Sequence, residues 1–228
     1  MKRVTSLKKI EDRIVSSGTG SIFITSDFTD LASSDSANRA LLRLEQTGVI
    51  RRILFGVYEY PEYNEFLGEH IAPSPDKVAQ TLARKFGWTI VPCGDTALNL
   101  LGLSTQVPAV WSYVSDGTYK EYTFDKTTIK FKKTTNKEIS KLSYKTALVV
   151  QALKALGKEN VTDSILIKLK KGLAKAEKKK MLEEAKTVTS WIYELIKKIC
   201  RSDENQRKRQ KRPIQKHGGK DGYDRSDY

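Results

Sequence analysis

The chain has 228 residues, a formal net charge of +14 and 39% hydrophobic residues, enough apolar material for two modest domains with cores of their own. No apolar run approaches the roughly 20 residues that cross a bilayer, and charges interrupt the apolar positions of the basic start MKRVTSLKKIEDRIV, so neither a membrane span nor a secretory leader is expected. Two cysteines (Cys93, Cys200) and two histidines (His70, His217) are too few for an obvious zinc site or a disulfide framework, so a cytoplasmic protein without cofactor is expected.

The charge is unevenly spread. Residues 61–110 carry a net −2, whereas 111–160 and 161–200 carry +5 each and 201–228 carry +4. Such a balance favours an anionic partner, whether DNA, RNA or acidic protein.

In chain order, TSLKKIEDRIVSSG places Leu7, Ile10 and Ile14 at helical spacing, with Thr5 or Ser6 as N-cap. SIFIT is a short β-like stretch. SDFTDLAS reads as a helix of barely two turns with Ser26 as N-cap and Phe28 and Leu31 as anchors. After a break at Ala32–Ser34, Ser34 is expected to cap a longer helix beginning at Asp35. Ala37, Ala40, Leu41 and Leu44 form its apolar face, Ser36, Arg39, Arg43 and Gln46 lie largely opposite, and Gly48 occupies the position after the helix that needs positive φ. VIRRILFGVYEYP, β-branched and aromatic around Gly56, reads as a hairpin. Helix, short helix, turn, longer helix and hairpin is the order of a winged helix-turn-helix, in which the longer helix enters the major groove and the hairpin lies along the backbone.

Residues 61–73 read as a linker. Ser74, Pro75 and Asp76 then form a strong helix start, Val78, Leu82 and Phe86 an apolar face, and Gly87 a stop. WTIVPCGDTALNLLGLSTQVP suggests a strand, a turn and a short helix capped by Asp95 and ended by Gly102. Asp116-Gly117 is a hairpin signal, and three antiparallel strands are expected over 109–115, 118–124 and 127–133. A core helix ending at Gly157, a helix capped by Thr162, and one long last helix with Met181, Val188, Trp191, Ile192, Leu195 and Ile199 inward complete the ordered part. Residues 201–228 are too poor in apolar side chains to offset the cost of ordering and are expected to be a disordered basic tail. The reading is an α+β chain: residues 1–60 a winged helix-turn-helix, and 74–200 an α/β domain with a small antiparallel sheet and C-terminal helices.

The stretch ALLRLEQTGVIRRILFGVYEYP resembles the winged-helix signature of AbiEi-like antitoxins of abortive-infection, type IV toxin–antitoxin operons, and GDTALNLLGLSTQVPAVWSYVSDG looks like the start of the second domain in a bacterial branch of that group. The likeness covers residues 5–135 well and the last helices loosely; the basic tail is outside the pattern. It implies a DNA-binding autorepressor that binds inverted repeats in its own promoter. It also implies an antitoxin opposing a neighbouring nucleotidyltransferase toxin without a stable complex.

For DNA, Arg39 and Arg43 suit guanine edges, Asn38 suits adenine, and Ser36 suits a phosphate. Arg51 and Arg52 adjoin the hairpin, and one of them should face solvent. The alternative is a winged helix that contacts protein and merely solvates its arginines. An inverted repeat would set two molecules, as a possible homodimer, about one helical turn apart on DNA. Lys130 and Lys132 on one strand face, and Lys168, Lys171 and Lys175 at helical spacing, form a possible second basic surface, weighed against simple solvated faces. The tract QRKRQKRP is either a nucleic-acid-binding arm or a solubilising tail. A metal-dependent nucleotidyltransferase or nuclease would need at least two carboxylates around Mg²⁺. Asp95 beside Cys93 has no second acid near it in sequence, and Cys93 is expected to be a small buried residue, so no enzyme is expected.

Overall fold

The computed structural model describes residues 5–134, 139 and 141–201; the expected basic tail beyond Arg201 lies outside them. The fold is α+β, with eight α-helices and three small sheets among the described residues.

Helix α1 (Ser6–Ser16) is capped by Thr5, whose hydroxyl accepts from the Lys8 N–H, and it buries Ile10 and Ile14. Strand β1 (Ser21–Phe23) follows. The expected two-turn helix is a single 3-10 turn, Thr25–Phe28. Its start is held by the Asp27 carboxylate, which accepts from the Ile24 N–H, and not by Ser26. Helix α2 (Ser34–Gln46) begins one residue earlier than expected because Ser33, not Ser34, supplies the capping hydroxyl. Gly48 takes φ +75° just beyond its end. Strands β2 (Arg51–Leu54) and β3 (Val57–Tyr60) form the expected hairpin around Gly56.

The first sheet has the order β1-β3-β2 and is antiparallel throughout. Both of its faces are covered. Phe23 and Tyr58 pack with Ile10, Ile14, Leu41 and Leu44 beneath α1 and α2, while Ile22, Ile24 and Val57 turn the other way. That alternation follows from the two-residue repeat of a strand. On β3, Glu59 is only 2% exposed. Burial raises its carboxyl above the ordinary value, a change the adjacent Arg51 guanidinium opposes. Arg51 lies across from it in register, donates through Nε to Glu59 at 2.5 Å and through Nη2 to the Ile71 carbonyl at 2.7 Å.

Residues 61–73 hold a two-stranded ribbon, β4 (Tyr63–Asn64) and β5 (Glu69–His70), where a linker was expected. Asn64 Oδ1 accepts from the Phe66 and Leu67 amides at its tip, and Phe66 is 96% exposed.

Helix α3 (Pro75–Phe86) starts and stops as expected, with the Ser74 hydroxyl capping, Pro75 in the first turn and Gly87 left-handed. Val78, Ala79, Leu82 and Ala83 share one hydrophobic cluster with Ile22, Ile24 and Val57 on one side and with Ile90, Tyr113, Ile129 and Phe131 on the other. Helix α3 is thus the filling between two sheets.

The second sheet combines β6 (Ile90–Pro92), β7 (Val110–Ser115), β8 (Lys120–Phe124) and β9 (Thr127–Lys133) in the order β6-β7-β9-β8. Three strands fall close to the expected ranges, but their pairing differs. β7 does not turn back into β8; it runs parallel to β9, from Val110 opposite Thr128 to Ser115 opposite Lys133. The only hairpin turn in this sheet among the described residues lies between β8 and β9, where Asp125 adopts φ +47°. Asp116-Gly117 serves another purpose. The Asp116 carboxylate accepts from the Thr89 N–H at 2.8 Å, and a methyl group on Gly117 would lie 2.2 Å from the Trp88 ring. Tyr113, fully buried on β7, donates its hydroxyl to Asp76 at the start of α3.

The far side of this sheet meets the C-terminal helices. Helix α4 (Asp95–Leu100) has Gly94 at its N-cap, so Asp95 sits in the first turn instead of capping it. Helix α5 (Tyr144–Leu156) buries residues all around its circumference, as a helix at the centre of a core does. Thr162 precedes helix α6 (Asp163–Lys171) as expected, but its hydroxyl pairs with Ser164 Oγ. The single long last helix is two, α7 (Lys175–Glu184) and α8 (Ser190–Cys200), separated by a 3-10 turn at Ala185–Thr187. The break falls in the run Thr187-Val188-Thr189, three β-branched residues that favour extended backbone. Met181, Ile192 and Ile199 are buried as expected, joined by Ile196.

Three outcomes follow for stability. Gly117→Ala should cost about 1–3 kcal/mol through overlap with the Trp88 ring, read as a lower urea midpoint. Arg51→Ala should cost about 3 kcal/mol, because it strands the buried Glu59 carboxylate. Arg52→Ala, one residue along on the exposed side, should leave the midpoint within about 0.5 kcal/mol.

Candidate nucleic-acid interface

The outward face of α2 has a mixed chemistry. Arg39 and Arg43 are exposed one helical turn apart, and no carboxylate among the described residues pairs with either. Leu42, between them in sequence, is 47% exposed. Asn38 is exposed too, but its side-chain carbonyl accepts from the Thr25 hydroxyl at 2.6 Å, tying α2 to the 3-10 turn. An amide that reads adenine uses both its carbonyl and its amino group, so Asn38 must share or release that bond to do so. Ser36 is half-buried within the cap, its hydroxyl 3.0 Å from Ser33 Oγ. Asp35 lies in the first turn, where a carboxylate complements the positive end of the helix.

The two hairpin arginines part company. Arg51 is spent on Glu59 and the Ile71 carbonyl, a bond inside the fold that spacing alone does not reveal. Arg52 is exposed, with its guanidinium 5.1 Å from the centre of the Phe55 ring at the hairpin turn.

Several other cations of the N-terminal half are held by acids. Arg13 forks onto Asp30 with two bonds of 2.7 Å. That pairing holds the Asp30 carboxyl below its ordinary value. Lys8 lies near Glu11 and Asp12, and Arg84 reaches from α3 to Asp27. Arg39, Arg43 and Arg52 stand apart from this pattern of pairing.

The second basic surface is divided. Lys130 pairs with Glu121 on the neighbouring strand at 3.0 Å, while Lys132 on the same strand is exposed. Lys168 and Lys171 are exposed on α6, but that helix ends at Lys171 and Lys175 opens α7, so the three do not lie along one helix. Cys93 is buried, and burial raises its thiol above the ordinary value. Among the described residues, no three of the side chains His, Cys, Asp and Glu gather closely enough to hold a metal ion. No helix among them is long and apolar enough to cross a membrane.

A search of characterised proteins finds no match to the chain. Residues 9–182, from within α1 to within α7, match a family of unknown function, and the chain is a member of that family, DUF6088.

Proposed function

We propose that the chain is a winged-helix DNA-binding repressor of its own operon and the antitoxin of a type IV toxin–antitoxin pair. In this reading α2 lies in the major groove and the β2–β3 hairpin is the wing. The observation that carries the DNA half is that the exposed arginines of α2 and the exposed Arg52 of the hairpin have no carboxylate partner among the described residues, in a region whose other cations are largely paired with acids. Arg39 and Arg43 then read guanine edges, and Arg52 neutralises a backbone phosphate. Two molecules occupy an inverted repeat in the promoter, and the repressor needs no cofactor. The antitoxin half rests on the resemblance of the two sequence stretches to AbiEi-like proteins; the toxin it opposes is a nucleotidyltransferase.

A second reading has one observation in its favour. The β4–β5 ribbon projects Phe66 and Leu67 into solvent at 96% and 61% exposure, which suits a protein partner. On that reading the winged helix is part of an adaptor.

Fluorescence anisotropy with a duplex from the region upstream of its own gene separates the two. Arg39→Ala and Arg43→Ala should each weaken operator binding by about 1–3 kcal/mol, with thermal melting unchanged because both side chains are exposed. Full operator affinity in both variants would remove α2 from the interface, and no duplex affinity in the parent protein would favour the adaptor.

A further inference from the structure

The wing does not end at the hairpin. Phe55 at its turn is 83% exposed and has two cations over its ring, Arg52 at 5.1 Å and Lys85 of α3 at 5.5 Å. The Lys85 ammonium also donates to the Phe55 carbonyl at 2.5 Å and lies 5.9 Å from the Phe86 ring. Phe86 stacks on Trp88, with ring centres 4.8 Å apart. Lys120, the first residue of β8, sits 4.4 Å from the Phe86 ring and 5.9 Å from that of Trp88. Three elements distant in sequence thus deliver cations onto one run of aromatic rings.

The company these cations keep is informative. At several other places a carboxylate answers the cation: Asp30 for Arg13, Asp27 for Arg84, Glu121 for Lys130. Here no carboxylate among the described residues pairs with Arg52, Lys85 or Lys120. Burial lowers the Lys85 ammonium below its ordinary value, and the charges of Arg52 and Lys120 push it the same way. Aromatic faces and one carbonyl hold the trio together without cancelling its charge. A bound polyanion would relieve the mutual repulsion.

We propose that Arg52, Lys85 and Lys120 form a phosphate-binding subsite for the backbone of duplex DNA, running from the hairpin turn over the end of α3 to the second sheet. This deepens the DNA-binding reading above and rests on it. The DNA backbone is the fitting polyanion because Arg52 belongs both to the wing and to the trio. The second half of the chain is then part of the DNA-binding surface, and Lys85 and Lys120 supply affinity without base choice.

The test uses the full chain, the upstream duplex and a scrambled duplex of equal length, each titrated over a series of salt concentrations. Among the described residues the Lys120 ammonium lies over the Phe86 and Trp88 rings and forms no ion pair, so Lys120→Gln is the cleaner variant, and its melting temperature should match the parent's. The slope of log affinity against log salt should become shallower by about 0.9 in K120Q and about 1.8 in the K85Q/K120Q pair, on both duplexes. The preference for the upstream duplex should persist, and Lys120→Arg should restore the parental slope. Unchanged slopes with intact operator binding would overturn the subsite and leave the repressor reading standing. Shallower slopes with no preference for the upstream duplex would support the subsite and sink the repressor. Absence of duplex binding in the parent would end both.

Discussion

Burial of α3 between two sheets is the constraint on which the arrangement depends. One face of the first sheet and one face of the second are both apolar, and the same short helix must satisfy them. Its small and branched residues, Val78, Ala79, Leu82 and Ala83, let both sheets come close. Its basic residues then reach in different directions to fix the position. Lys77 donates to the Gly20 carbonyl before β1, Arg84 pairs with Asp27 in the 3-10 turn, and Lys85 donates to the Phe55 carbonyl in the hairpin turn. These contacts are mostly exposed and individually weak. Their value lies in orientation: with the apolar interface already formed, they set the angle at which the hairpin and α2 stand relative to the second sheet.

The cover on both faces of the first sheet also explains why the buried Glu59 carboxylate keeps an arginine beside it. A three-stranded sheet with one wet face would have left Glu59 in water. Covered on both faces, it has no solvent to offer, and the Arg51 guanidinium takes over that role. The arrangement also divides labour between neighbouring arginines. The two-residue repeat of the strand sends one toward the interior and its neighbour outward, so one stabilises the hairpin and the other remains available to a ligand.

Much of the local structure was legible because it is written in local chemistry. Ser74-Pro75 and Gly87 bound α3 on cap and turn preferences alone, as Gly48 ends α2 and Gly56 turns the hairpin. Some of the misreadings have a different cause: they concern residues whose role is set from far away in sequence. Asp116-Gly117 has the composition of a hairpin turn, yet its glycine makes room for Trp88 and its aspartate serves Thr89. Asp27, not Ser26, holds the 3-10 turn, and it also meets Arg84. The candidate site divides in the same way. The exposure of Arg39 and Arg43 follows from helical spacing. The capture of Arg51 by Glu59, and the meeting of Arg52 with Lys85 and Lys120, need the tertiary fold and leave no mark in any short window.

The parallel pairing of β7 with β9 has a consequence for the order of events during synthesis on the ribosome. β8 and β9 are joined by a two-residue turn and can zip together as soon as both have emerged. β7 emerges earlier and has only β6 to pair with until that hairpin arrives to dock beside it. Closing this longer loop is the slower step, because non-local contacts repay chain entropy only after it is lost. Until then one edge of β7 is bare, and the aromatic side chains of Trp111 and Tyr113 lack the cover of Ile129 and Phe131. A nascent chain paused between β7 and β9 is therefore the species most exposed to capture by chaperones or to aggregation.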